Sequence, residues 1–156
     1  MEVFDAILSK DACYRYVLSR IWDNTKPMVN FICLNPSTAD EKTDDPTVRR
    51  CRSYAQSWRY GGFYMTNLFA FRATNPESLK VQKDPIGDEN DKWLKEIAGK
   101  SALVVFAWGV NGIFGNRDEV VKKFFPEAYC IALSKDGHPK HPLYLKKDLE
   151  PQRYPG

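Results

Sequence analysis

The stretch Met28-Val29-Asn30-Phe31-Ile32-Cys33-Leu34-Asn35-Pro36 decides the architecture, because an almost continuous apolar run ends abruptly at an Asn-Pro pair. A strand with one face in water alternates apolar and polar residues. A short unbroken apolar run is the pattern of a strand covered on both faces. Proline has no N–H to donate and holds the residue before it extended, so the strand is expected to stop at Asn35 and hand over to a loop.

Working outward toward the C-terminus, Asp45-Pro46 supplies an N-cap and an N1 proline for a helix running to about Trp58. Val48, Cys51, Tyr54 and Ala55 recur on it at helical spacing. Gly61-Gly62 separates this helix from a second apolar strand, Phe63-Tyr64-Met65-Thr66-Asn67-Leu68-Phe69, which completes a βαβ unit. The cycle repeats: a loop from Arg72 to Gly87, a helix from about Asp88 to Ala98, and a strand from Ala102 to Trp108. Asn111-Gly112 then breaks the chain before a helix from Arg117 to Phe125 and a last strand from Tyr129 to Leu133.

Toward the N-terminus, Cys13 to Trp22 alternates aromatic or apolar with polar residues, and Asp23-Asn24-Thr25-Lys26-Pro27 follows as a turn. This reads as an edge strand leading into a hairpin. Lys146 to Gly156 is polar and contains prolines, as a peripheral tail would. Strands alternating with helices predict an α/β fold, a three-layer α/β/α sandwich with a mostly parallel central sheet. The expected organisation is one domain over residues 1–156 with its core at about 12–146, within the size range of a single core.

Bulk composition narrows the functional classes. With 43% hydrophobic and 28% charged residues and no long apolar run, a folded soluble domain is expected and a membrane role is not. The start of the chain lacks a basic region followed by an apolar stretch, so no signal peptide is expected and a cytoplasmic location is. Cys13, Cys33, Cys51 and Cys130 are scattered without metal-ligand spacing; they read as reduced, mostly buried thiols, and neither a metal nor another cofactor is expected. A net charge of +3 does not by itself mark a nucleic-acid binder, although Arg49, Arg50, Arg52 and Arg59 fall close together.

Ligands of open parallel sheets bind beyond the carboxyl ends of the strands. That rule selects Asn35-Pro36-Ser37-Thr38 after the first central strand, Asn67 at the end of the second, and the polar stretch Ser134 to Tyr144 after the last. The first loop can offer Asn35, Ser37 and backbone N–H groups to a ligand, or use the same groups to bond itself as a βα turn. Arg49 and Arg50 oppose the dipole of the helix they open. They suit a phosphate site, and the competing reading pairs them locally with Asp44, Asp45 or Glu41. Asn67, amid apolar neighbours, offers the donor and acceptor that would read a base edge, or is a satisfied core amide. His138-Pro139 and His141-Pro142 place both histidines of the chain in one loop, suited to acid–base or electrostatic work or simply exposed. No Gly-x-Ser-x-Gly elbow, Walker loop or dinucleotide fingerprint is present.

Taken together, Leu34-Asn35-Pro36-Ser37-Thr38-Ala39-Asp40, Asp45-Pro46-Thr47-Val48-Arg49-Arg50-Cys51, Asn67-Leu68-Phe69-Ala70, Ala107-Trp108-Gly109 and His141-Pro142-Leu143 resemble a family of small bacterial and phage proteins catalogued as a domain of unknown function. More distantly, the order of motifs is similar to the uracil-DNA glycosylase superfamily. Its members place a Gly-x-Asn-Pro or Gly-x-Asp-Pro loop after the first core strand, a base-reading asparagine at the end of the next, and a His-Pro-Ser loop after the last. Asn35-Pro36, Asn67 and His141-Pro142 match these in turn.

The resemblance implies that Asn35 orients an attacking water, Asn67 reads an extruded base, His141 stabilises charge on the departing base, and Leu145 occupies the wedge position. Cys33-Leu34 stands where the glycine of the first motif would be, Leu143 replaces the serine of the third, and the first loop has no matching aspartate. The leading expectation is a protein that recognises a nucleobase or nucleotide, with N-glycosidic hydrolysis in DNA as the most concrete reaction. The rivals are a non-catalytic nucleic-acid or nucleotide-binding module and an enzyme acting on a phosphorylated, nucleotide-like small molecule through Arg49 and Arg50. The glycosylase reading requires Asn35, Asn67 and His141 to face one pocket.

Overall fold

The computed structural model describes residues 2–155, and among them seven strands form one sheet. In chain order these are β1 (Val3–Leu8), β2 (Arg15–Ile21), β3 (Met28–Cys33), β4 (Gly62–Asn67), β5 (Leu103–Phe106), β6 (Tyr129–Cys130) and β7 (Gln152–Arg153). The helices are α1 (Pro46–Ser57), α2 (Glu77–Lys80), α3 (Asn90–Gly99) and α4 (Arg117–Phe124), with a 3-10 segment at Val110–Asn116. Spatially the strands run β1-β2-β4-β3-β5-β6-β7.

The almost continuous apolar run is β3, at the centre of the sheet and buried along its whole length. Its side chains alternate between two cores, as strand geometry demands. Val29, Phe31 and Cys33 pack with Val48, Cys51 and Tyr54 of α1. Ile32 packs on the opposite side with Leu94 of α3 and Val121 of α4. Helix α1 follows the expected plan closely: Asp45 caps it by accepting the Val48 N–H at 2.9 Å, Pro46 opens it, and Val48, Cys51, Tyr54 and Ala55 are its buried residues.

The sheet is mixed rather than mostly parallel. Strands β4, β3, β5 and β6 form a parallel centre, while β1, β2 and β7 join antiparallel. The expected edge strand is an interior one, since β2 lies between β1 and β4 and makes no hairpin with β3. The turn after β2 instead straddles the start of β4: Trp22 and Asp23 donate to the Gly61 carbonyl, and Gly61 donates to that of Pro27. Backbones approach so closely there that a Cβ on Gly61 would lie 1.9 Å from the Asp23 carbonyl oxygen, which only glycine avoids.

The C-terminal segment is also more than a tail. β7 pairs with β6, giving the otherwise open side of that strand a hydrogen-bonding partner, and Tyr154 packs edge-on against Phe106. Cys33, Cys51 and Cys130 are buried free thiols and Cys13 is exposed. No helix among the described residues is long and apolar enough to cross a membrane.

Candidate functional site

At the carboxyl ends of β3 and β4 lies a cavity of about 470 Å³. Asn35, Ser37, Thr38 and His141 line it, together with Arg15 and Asp45. A volume of this size suits a small-molecule ligand.

The Asn35 loop is held from two directions. Asn35 Nδ2 donates to the carbonyls of Ala73 at 2.7 Å and Pro36 at 3.0 Å, tying the loop to the segment after β4. Arg15 Nη1 donates to the Ala39 carbonyl at 2.9 Å from β2. The donor half of the Asn35 amide is therefore committed to the protein, which leaves the carbonyl oxygen as its means of meeting a ligand or water.

His141 is placed by a tight reversal of the chain after β6. Leu133 bridges Pro139, Lys140 donates to the Ala132 carbonyl, and Gly109 donates to that of Pro139. Gly109 has φ +76°, and a Cβ there would lie 3.6 Å from that of His141. The positive φ favours glycine at this turn, while the 3.6 Å separation is ordinary van der Waals contact. Leu143 N–H donates to His141 Nδ1 at 3.2 Å. With Nδ1 accepting, the neutral ring carries its proton on Nε2. Burial lowers the imidazole pKa below its ordinary value, and the nearby Asp45 charge acts in the opposite direction.

Other expected site residues lie elsewhere. Asn67 is fully buried, and neither atom of its amide has a hydrogen-bond partner among the described residues. It does not line the cavity, although its cross-strand neighbour Cys33 does. Arg49 and Arg50 are also off the cavity wall, and among the described residues neither forms the expected local ion pair. Arg49 donates to the Asp44 carbonyl and Arg50 to that of Leu145, while the Asp44 carboxylate pairs with Arg20 and Arg52. Pro142 is buried, and Leu145 packs against the core on the α1 side, so its side chain does not project as a wedge. Beside it, Tyr144 is 92% exposed with φ +75°. Among the described residues no group of three or more His, Cys, Asp or Glu side chains could hold a metal ion.

A family model described as "Protein of unknown function (DUF1643)" matches residues 15–143. The chain belongs to the DUF1643 family. No curated protein and no solved structure matches it. The DUF1643 match begins at Arg15 and ends at Leu143, both of which line the cavity, so it spans every element that builds the site.

Sequence reasoning missed Arg15 and Asp45. Arg15 was hidden because alternation in β2 read as one solvated face, and Asp45 because its capping role already explained it. The available signal was that Asp45 is separated from the Asn-Pro loop only by a short polar segment, so its cap sits beside that loop.

Proposed function

We propose that this DUF1643 protein recognises a nucleobase or nucleotide in the cavity beyond β3 and β4, with hydrolysis of an N-glycosidic bond in DNA as the most concrete reaction. The observation that carries this reading is the meeting of the Asn35 and His141 loops, far apart in sequence, on one cavity wall. Helix α1 on one side of the sheet and α3 and α4 on the other support the three-layer, glycosylase-like arrangement.

In this reading the Asn35 carbonyl oxygen accepts a hydrogen bond from the attacking water and orients it. Asparagine cannot take the water's proton away, so the rate depends on electrostatic stabilisation of the departing base. His141, neutral with a proton on Nε2, donates a hydrogen bond to that base. Asn35 and His141 meet on the cavity but Asn67 lies behind its wall, so the base-reading role of Asn67 rests on the resemblance and on an amide whose two atoms lack protein partners among the described residues. Tyr144 takes the wedge role in place of Leu145, since it is the large exposed side chain of that loop.

One observation favours a binding module without catalysis: Asn35 holds the loop with its amide N–H groups and offers a ligand only an acceptor. DNA carrying uracil, mismatches and modified bases separates the two readings. Abasic sites that disappear in His141→Gln and Asn67→Ala support hydrolysis. Tight base or nucleotide binding without release supports the module, and neither binding nor release contradicts both.

A further inference from the structure

Arg15, Arg20 and Arg117 are the buried arginines among the described residues. Arg20 pairs with Asp44 at 2.8 Å and also donates to the Ser19, Asp40 and Thr43 carbonyls. Arg117 pairs with Asp91 and donates to the Leu68 carbonyl. Arg15 is 1% exposed, yet it donates to a single carbonyl, its Nε has no partner, and none of the ion pairs among the described residues includes it. A buried guanidinium so short of acceptors bears a desolvation penalty that its surroundings do not offset.

The two arginines with carboxylate partners do not line the cavity, whereas Arg15 does. No other arginine or lysine among the described residues shares that wall. Ser37, Thr38 and Thr47 add hydroxyl groups, and Thr47 also stands at the start of α1, where N–H groups lack helical acceptors. Burial lowers the Arg15 pKa to about 10 against the opposing charge of Asp45, so the group remains a cation at neutral pH.

We propose that Arg15 is the anion-recognition residue of the cavity, supplying a guanidinium fork to an anionic oxygen group, phosphate or carboxylate, on the ligand. Resting on the nucleotide reading above, this makes the preferred ligand a phosphorylated nucleotide rather than a free base or nucleoside. Arg15 thereby takes the part that the sequence suggested for Arg49 and Arg50. Asp45, on the same wall, carries the opposing charge and is near enough to set how strongly an anion is held.

Calorimetry on the full chain tests this with inorganic phosphate, acetate, nucleoside 5′-monophosphates and the matching nucleosides. The expected result is that a monophosphate binds at least tenfold more tightly than its nucleoside, and that Arg15→Met loses roughly ten- to a hundredfold of that affinity. Arg15→Lys should recover only part, because an ammonium lacks the fork. Equal binding of nucleoside and monophosphate overturns the proposal and leaves the nucleobase reading standing. Arg15-dependent binding of phosphate or acetate with no preference for nucleotides upholds the anion site and sinks the nucleobase reading. Should Arg15→Met fail to fold, Asp45→Asn decides, since asparagine also caps helices well. It should bind the anion more tightly than wild type, and unchanged or weaker binding overturns the proposal.

Discussion

Arg20 and Arg15 lie on the same strand and are both buried, but their surroundings differ in kind. Arg20 is surrounded by acceptors: the Asp44 carboxylate and the carbonyls of Ser19, Asp40 and Thr43. Arg15 grips the same loop at Ala39 and leaves its Nε unanswered beside a cavity. Both arginines fasten the loop to the sheet, but Arg15 also keeps hydrogen-bonding capacity in reserve where a ligand can reach it. Local order therefore does not distinguish a structural cation from a functional one. Counting acceptors does.

Stability measurements can break that comparison. Arg20→Met removes one partner of a buried pair and frees several carbonyls, so it should lower unfolding free energy by about 3 kcal/mol in denaturant titrations. Arg15→Met removes an under-partnered buried cation and should stay within about 1 kcal/mol of wild type. Equal losses at the two positions would make Arg15 as structural as Arg20. Asn67→Leu replaces a buried amide without partners and should stabilise the protein by up to about 1 kcal/mol while weakening base recognition. A destabilised Asn67→Leu would mean that the amide is satisfied in solution by groups such as buried water.

The smallest effect concerns His141. Its folded pKa lies below the ordinary value of 6.5, so between those two values the unfolded chain binds more protons than the folded one. This contribution to stability is complete above pH 6.5 and is lost as pH falls through the folded pKa. Thermal unfolding followed from pH 7.5 downward should therefore show a shallower decline in His141→Gln than in wild type. A matching decline would remove His141 from the account of pH dependence.

How much of this could be read from the chain depended on whether one element carried its own signal. β3 and α1 did, through an unbroken apolar run and a capped 3.6-residue periodicity, and their predicted limits held closely. β2 misled because Arg15, Ser19 and Arg20 interrupt its apolar residues as the polar residues of an edge strand would, although the protein buries Arg20 with an ion pair and Arg15 against a backbone carbonyl. β1 escaped notice because much of it is exposed and so has little apolar contrast, and β7 because two residues between prolines carry no period. The rule that ligands lie beyond strand ends led to Asn35 and His141, which line the cavity, and to Asn67, which does not. It could not find Arg15, whose place depends on β2 lying next to β4, a long-range pairing that no local pattern encodes.

The central contrast is most directly tested by following the side-chain Nε–H resonances of arginine-labelled protein during titration with a nucleoside 5′-monophosphate. The account predicts that the Arg15 resonance moves and gains protection from solvent exchange as the ligand binds, while those of Arg20 and Arg117 stay in place. An unmoved Arg15 resonance at saturation would contradict it.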